Sequence, residues 1–271
     1  MTEPNSLSDA SRLRSSFADF LRAERPDLLP SVTGGGGDAP MHATTILALR
    51  FRDGVLMAGD RRATAGMSIA MRDIEKVYPT DSHSAVAISG APGPAVEIVR
   101  LFATELEYYE KVEGEALSLA GKANHLGRLI RGNFPAALQG LVVVPLFGGY
   151  DLRSGEGRIY SYDVTGGSYR EWDYHATGSG GPHAKDTLKK LFTRAVDIDR
   201  DAALRMAIEA LADAAEEDAA TAGPDIVHGI YPTVFSITAE GAAQAPEAEV
   251  ETVSRAVLDA RAARVSDRER P

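Results

Sequence analysis

Two adjacent hydroxyl residues, Thr44 and Thr45, stand at a seam in this sequence. Upstream lies Gly34-Gly35-Gly36-Gly37-Asp38-Ala39-Pro40, which has no basis for regular structure, and downstream the apolar run Ile46-Leu47-Ala48-Leu49 begins at once. Such a seam can mark nothing more than the start of a strand. If the chain is cut between Ala43 and Thr44, however, Thr44 carries a hydroxyl and a free α-amine on one residue. An unperturbed α-amine has a pKa of roughly 7.7–8.0, so near neutral pH a useful fraction is unprotonated. That amine can take the proton from its own hydroxyl, the N-terminal-threonine route to a nucleophile.

Other residues could set the electrostatics of such a nucleophile. Asp60 and Lys76 follow Thr44 within one stretch of chain. A hairpin of the first two strands would return Asp60 beside the start of the first, where it could meet the Thr44 amine or Lys76. A lysine held near a carboxylate stays charged, and its field favours the alkoxide form of a neighbouring hydroxyl. The plain alternative is a surface ion pair. Gly90 falls at a strand-to-helix junction, where backbone N–H groups without helical partners point outward and can hold an oxyanion, although a glycine there also serves as a simple turn. Ser179, between Gly178 and Gly180, reads as a helix cap or as a supporting hydroxyl. Asp218 and Thr221 follow a long helix, where a solvated end and a turn are the plain reading.

The elements that must position these residues are legible from pattern. Thr44 to Phe51 and Gly54 to Gly59 predict two strands joined by the turn Arg52-Asp53-Gly54. Ser84 to Ser89 predicts a third, closed by Gly90-Ala91-Pro92-Gly93-Pro94, and Pro94 suits the first turn of a helix running to about Tyr109. A second helix is predicted over Glu115 to Asn133, then a buried strand over Leu141 to Tyr150, weakened by Pro145. Gly157 to Tyr162 and Ser168 to Thr177 read as a hairpin around Thr165-Gly166-Gly167. Helices follow over Ala184 to Ala195 and Arg200 to Glu217, strands over Ile226 to Ile230 and Thr233 to Thr238, and a charged helix over Glu247 to Ala262 before a polar tail. The order of strands, two helices, strands, two helices, strands predicts an α+β fold, two stacked sheets with helices outside both.

Residues 1–43 differ in texture. Leu13, Phe17, Phe20 and Leu21 fall at helical spacing, Pro26 and Pro30 end that pattern, and the glycine run supplies a protease-accessible linker. A removable leader with one docking helix is the functional reading; a tail without fixed structure is the plain one.

Composition excludes several classes. The 271 residues contain no cysteine, so disulfides, thiolate metal sites and cysteine nucleophiles are absent. A net charge of −10 argues against nucleic acid or an anionic membrane as partner. No apolar run approaches the roughly 20 residues that span a bilayer, and no secretory signal is visible, so a cytoplasmic location is expected. The six histidines show no metal-ligand spacing and the glycine-rich segments no phosphate-binding pattern; no metal and no cofactor is expected. Position 177 is Thr, which disfavours a Gly-x-Ser-x-Gly nucleophile elbow.

The stretches Thr44-Thr45-Ile46-Leu47-Ala48-Leu49, Met57-Ala58-Gly59-Asp60-Arg61-Arg62-Ala63-Thr64, Glu75-Lys76-Val77-Tyr78, Glu105 to Lys111, Ala176-Thr177-Gly178-Ser179-Gly180 and Gly223-Pro224-Asp225 together resemble the β-subunits of actinobacterial proteasomes. The likeness runs from the leader to about Ala262. It implies an N-terminal-nucleophile hydrolase with a four-layer αββα sandwich of two packed antiparallel sheets, a removable propeptide over 1–43 and a peptidase domain over 44–271. By that resemblance Thr44 is the nucleophile, exposed by self-cleavage after Ala43. Asp60 and Lys76 set its electrostatics, the Gly90 N–H serves the oxyanion, and Ser179, Asp218 and Thr221 support the amine and a water. It also implies a substrate pocket lined by Ala63, Ile74, Ile88, Pro92 and Val96, with Thr64 and Ala91 lending backbone groups to an extended peptide.

Further implied are heptameric rings stacked on α-subunit rings, a ring-shaped ATPase, and substrates marked by a small protein tag. The chain departs from the family's pattern at Ala43, where glycine is common, and at Thr221, where serine is frequent. Two other readings stand beside this one: the simpler bacterial ATP-dependent threonine peptidase of the same fold, and an inactive ring-building subunit that keeps its leader.

Overall fold

The computed structural model describes residues 44–65, 68–194 and 197–268. The leader with its expected helix, Ala43 and the end of the polar tail lie outside them.

Alternation along the strands dictates the layering, because successive side chains of a strand point to opposite faces. In β1 (Thr45–Phe51), Leu47, Leu49 and Phe51 join one apolar cluster while Ile46 and Ala48 join another. The partner strand β2 (Gly54–Gly59) divides likewise, with Leu56 and Ala58 on one side and Val55 and Met57 on the other. Both faces are therefore buried, and each needs a covering layer.

The covering layer on one face is a second sheet. The first sheet runs β10–β1–β2–β11–β12, with β10 at Tyr174–Gly178, β11 at Thr233–Thr238 and β12 at Gly241–Gln244. The second runs β5–β6–β7–β8–β9, formed by Val77–Asp81, Ser84–Ala87, Leu146–Asp151, Glu156–Tyr162 and Ser168–Glu171. Every pairing in both sheets is antiparallel. Ala85, Ala87, Leu146 and Ile159 of the second sheet meet Ile46, Ala48, Val55 and Met57 of the first between them.

Helices cover the outer faces. Helices α1 (Pro92–Glu113) and α2 (Leu119–Gly132) pack on Val86, Phe147 and Tyr160 of the second sheet. A four-residue turn of helix, α3 (Phe134–Ala137), follows them. On the first sheet lie α4 (Gly181–Arg194), α5 (Arg200–Glu217) and α6 (Glu247–Arg268). The result is the expected αββα sandwich. α1 buries Ala95, Val99, Phe102 and Leu106, one stripe at helical spacing, and ends at Gly114 with φ 75°. Ser118 and Asp199 cap α2 and α5 by accepting from Gly121 N–H (3.1 Å) and Ala202 N–H (2.8 Å).

Phe102 is fully buried and meets Phe147 edge-on, with ring centroids 5.9 Å apart and planes at 85°. Phe102→Ala is expected to cost about 3–5 kcal/mol, checked as a lowered denaturation midpoint at unchanged m-value.

Several expected boundaries are corrected. The strand over Leu141 to Tyr150 begins only at Leu146, after Pro145. The expected strand over Ser168 to Thr177 breaks after Glu171: its first half pairs with β8, whereas β10 crosses to the first sheet and pairs with β1. Ile226 to Ile230 forms no strand; it is a turn closed by a single bridge between Asp225 and Ile230, with Asp225 accepting from the His228 backbone N–H. The short strands β5 and β12 and the antiparallel pair of β3 (Ala63–Ala65) with the exposed β4 (Ser68–Met71) were not anticipated.

Candidate active site

The β1–β2 hairpin fixes the first contact. Its register sets Ile46 opposite Gly59, so the next residue, Asp60, returns to Thr45 and donates its N–H to the Thr45 carbonyl at 3.1 Å. Asp60 is wholly buried and its side chain accepts four hydrogen bonds. Oδ1 takes the Thr45 N–H (2.9 Å) and Lys76 Nζ (2.6 Å); Oδ2 takes the N–H groups of Arg62 and Ala222, both at 3.0 Å. A buried acidic group needs such partners, and here both oxygens act purely as acceptors.

Lys76 comes from the other sheet. It immediately precedes β5, and its carbonyl accepts from the Ile88 N–H (2.8 Å), so the side chain reaches across from the second sheet to the first. Nζ also donates to the Arg62 carbonyl at 2.5 Å. Among the described residues its third proton has no acceptor. Burial lowers the Lys76 pKa, against the opposing field and hydrogen bond of Asp60.

Thr44 sits just before β1, buried, its carbonyl accepting from the Ser179 N–H at 3.0 Å. This close approach depends on Gly178, which has φ 98°; a Cβ there would lie 1.6 Å from the Thr44 carbonyl oxygen. Thr44 and Lys76 share the wall of a small cleft with Gly90 and with the expected pocket residues Ala63, Ile74, Ile88 and Pro92. Glu75, Ser89 and Ala95 complete the lining and were not foreseen.

Gly90 has φ 100°, and a Cβ on it would strike the Val142 carbonyl. Among the described residues its N–H donates to no acceptor, as an oxyanion donor requires.

Three expected pocket members stand differently. Val96 is not in this lining; half-buried on α1, it packs against the outer core. Ala91 already donates its N–H to Val142 O (2.7 Å) and accepts from Ala95 N–H (3.1 Å). Both of its backbone groups thus take part in the fold, the carbonyl with one lone pair to spare. Thr64 is buried on β3 opposite Ile69.

Ser179, Asp218 and Thr221 form one cluster. Asp218 Oδ2 accepts from Ser179 Oγ (2.5 Å) and Thr221 Oγ1 (2.6 Å), and Oδ1 accepts from the Ala220 N–H (3.2 Å). Thr221 Oγ1 also lies 2.6 Å from Thr45 Oγ1, which accepts from the Gly180 N–H at 3.0 Å. Arg62 ties this turn to the Asp60 group, donating to the carbonyls of Ala219 (3.1 Å) and Thr221 (3.3 Å). Sequence reasoning gave no role in the site to the Thr45 hydroxyl, to Arg62 or to Ala222; Ala222 acts through a backbone N–H that carries no residue-type signal.

Burial pushes the Asp218 pKa up, but hydroxyl donation from Ser179 and Thr221, the Ala220 N–H and the field of His183 outweigh it and leave the carboxyl below its ordinary range. A lowered folded pKa stabilises above the unfolded value of roughly 3.9 and loses that contribution as pH falls through the folded value. Asp218→Asn is therefore expected to flatten the acid limb of stability below about pH 4, measured by denaturant titration at stepped pH.

A two-sheet αββα sandwich with a threonine at the head of its first central strand is the N-terminal-nucleophile hydrolase architecture. The pattern of the family described as "Proteasome subunit" matches residues 41–228. A "Proteasome subunit beta" from Stackebrandtia nassauensis is 53% identical over 255 residues, covering 91% of each chain. One from Saccharomonospora viridis is 53% identical over 269 residues (94% of this chain, 92% of the relative), and one from Rhodococcus erythropolis 52% over 265 (93% and 90%). The chain belongs to the proteasome β-subunit family, a peptidase-related family whose members assemble with α-subunits. No helix among the described residues is long and apolar enough to cross a membrane.

Proposed function

We propose that this chain is a catalytic β-subunit of a self-compartmentalised proteasome, a threonine endopeptidase whose nucleophile, Thr44, is released by self-cleavage after Ala43. The observation that carries the reading is the convergence on one wall of Thr44, a buried Lys76 held by Asp60 with a proton to spare, and the uncommitted N–H of Gly90. Once residues 1–43 are removed, the Thr44 amine takes the proton of Thr44 Oγ1. That oxygen adds to the scissile carbonyl carbon, and the charge developing on the carbonyl oxygen meets the Gly90 N–H. Collapse expels the amine of the departing peptide, which takes the proton back from the ammonium and leaves an ester on Thr44 Oγ1. Water, deprotonated by the same amine, hydrolyses the ester and restores the site. The charge of Lys76 stabilises the alkoxide-like oxygen, and Ser179, Asp218 and Thr221 orient the amine and the water.

Ala63, Ile74, Ile88, Pro92 and Ala95 give the cleft an apolar lining, so cleavage after hydrophobic residues is the specificity this site would hold. The setting is heptameric rings stacked on α-rings in the cytoplasm, fed by a ring-shaped ATPase with tag-marked substrates. The test is hydrolysis of fluorogenic peptides by the chain co-assembled with its α-type partner. Turnover of peptides ending in a large apolar residue, well above that of acidic ones, is expected. A correctly assembled particle that hydrolyses none and retains residues 1–43 would favour the structural-ring reading.

A further inference from the structure

The hydroxyl next to the proposed nucleophile has a fixed direction of donation. Asp218 Oδ2 accepts from Thr221 Oγ1 at 2.6 Å, which uses the single hydroxyl proton of Thr221. The 2.6 Å contact between Thr45 Oγ1 and Thr221 Oγ1 then has only one proton available to fill it, that of Thr45. Thr45 Oγ1 in turn accepts from the Gly180 N–H at 3.0 Å. The chain therefore runs one way, from Gly180 N–H through Thr45 and Thr221 to the Asp218 carboxylate, with every dipole aimed at the negative charge. Each link polarises the next where water is excluded, and Thr45 and Thr221 are 0% and 1% exposed.

The backbone of the same residue faces the other acidic group, because Thr45 N–H donates to Asp60 Oδ1, the oxygen that also holds Lys76. Thr45 thus reaches Asp60 directly and Asp218 through Thr221, while being bonded covalently to Thr44. It is absent from the lining of the substrate cleft.

We propose that Thr45 is a positioning residue for the hydrolytic reaction: its hydroxyl holds Thr221 in the rotamer that donates to Asp218, and so keeps the Asp218–Ser179 pair set against the Thr44 main chain. The inference rests on the reading of Thr44 as nucleophile. Because Thr45 does not meet substrate, its loss should act on turnover and leave binding alone.

The experiment compares Thr45→Val, Thr45→Ser and Thr45→Cys in the full chain co-assembled with its α-type partner, using one apolar fluorogenic peptide. Thr45→Val keeps the shape and removes the donor. It is expected to lower kcat about tenfold, on the scale of one buried charge-linked hydrogen bond, with KM within about twofold of the parent because binding contacts are untouched. Thr45→Ser, which keeps the oxygen, should return most of the rate. Thr45→Cys supplies only a weak donor and should fall between the two; it carries the test if the valine variant does not assemble. Assembled valine or cysteine variants with parental kcat, or a loss that appears in KM, would overturn the proposal. So would a serine variant as impaired as valine, since the missing methyl would then be responsible. Thr44→Ala run in parallel separates the two levels: peptide hydrolysis surviving in it removes the nucleophile assignment and this inference together, whereas an unaffected Thr45→Val beside an inactive Thr44→Ala removes this inference alone.

Discussion

Thr44→Ala should abolish peptide hydrolysis and leader removal together. Removing a nucleophile from a catalytic set commonly costs a thousandfold or more, roughly 10³–10⁶ in kcat, and in the proposed function the same hydroxyl serves both reactions. The two losses need not coincide in other schemes. A separate protease acting in the glycine-rich stretch would still remove the leader, and a different nucleophile would still cleave peptides. Mass measurement and a fluorogenic assay on one preparation read both. The backbone contacts at this position, Thr44 carbonyl to Ser179 N–H and the close passage of Gly178, survive the substitution. Assembly is therefore expected to be normal, and the loss is one of chemistry.

The second large effect is expected at Lys76. Lys76→Ala removes the one charged donor to an Asp60 that is wholly buried. Breaking one side of a buried ion pair costs about 3–5 kcal/mol, so both stability and activity should fall, activity by at least about a hundredfold if the ammonium stabilises developing charge. Replacing both partners by apolar residues often restores stability elsewhere. Here it should not, because Thr45, Arg62 and Ala222 would be left with three backbone N–H groups lacking their acceptor, each costing about 1–3 kcal/mol. Denaturant midpoints of Lys76→Ala and of the Asp60→Leu/Lys76→Met double variant, with activities alongside, check the pair. A double variant as stable as the parent would contradict the account of Asp60 as a four-donor hub.

Local signals made part of this arrangement legible. The Arg52-Asp53-Gly54 turn between two apolar runs fixes the hairpin, and the hairpin alone returns Asp60 to the head of β1. Gly90 before a proline-initiated helix marks a junction that lines the cleft. The continuous apolar character of β1 marks a strand buried on both faces, which requires a layer on each side.

Other features carried no such signal. β5 contains Pro79, and β12 is Gly-Ala-Ala-Gln, so neither has the composition of a strand; each is held by pairing with a neighbour. Ile226 to Ile230 has apolar residues but is bent by the contacts of Asp225 with His228. The role of Asp218 depends in part on a hydroxyl 39 residues away, that of Ser179. Ala222 meets Asp60 across 162 residues through a backbone N–H that any residue but proline would offer. Only the resemblance to a known family pointed to Asp218 in advance, and nothing pointed to Ala222.

The central claim is that hydroxyl and base reside on one residue and become competent when the preceding bond is broken. Sequential N-terminal degradation of the active, purified α–β particle tests this most directly. The account predicts threonine as the first residue of the β-chain, followed by Thr45, Ile46 and Leu47. A fully active particle whose β-chains still carry Ala43 joined to Thr44 would contradict it.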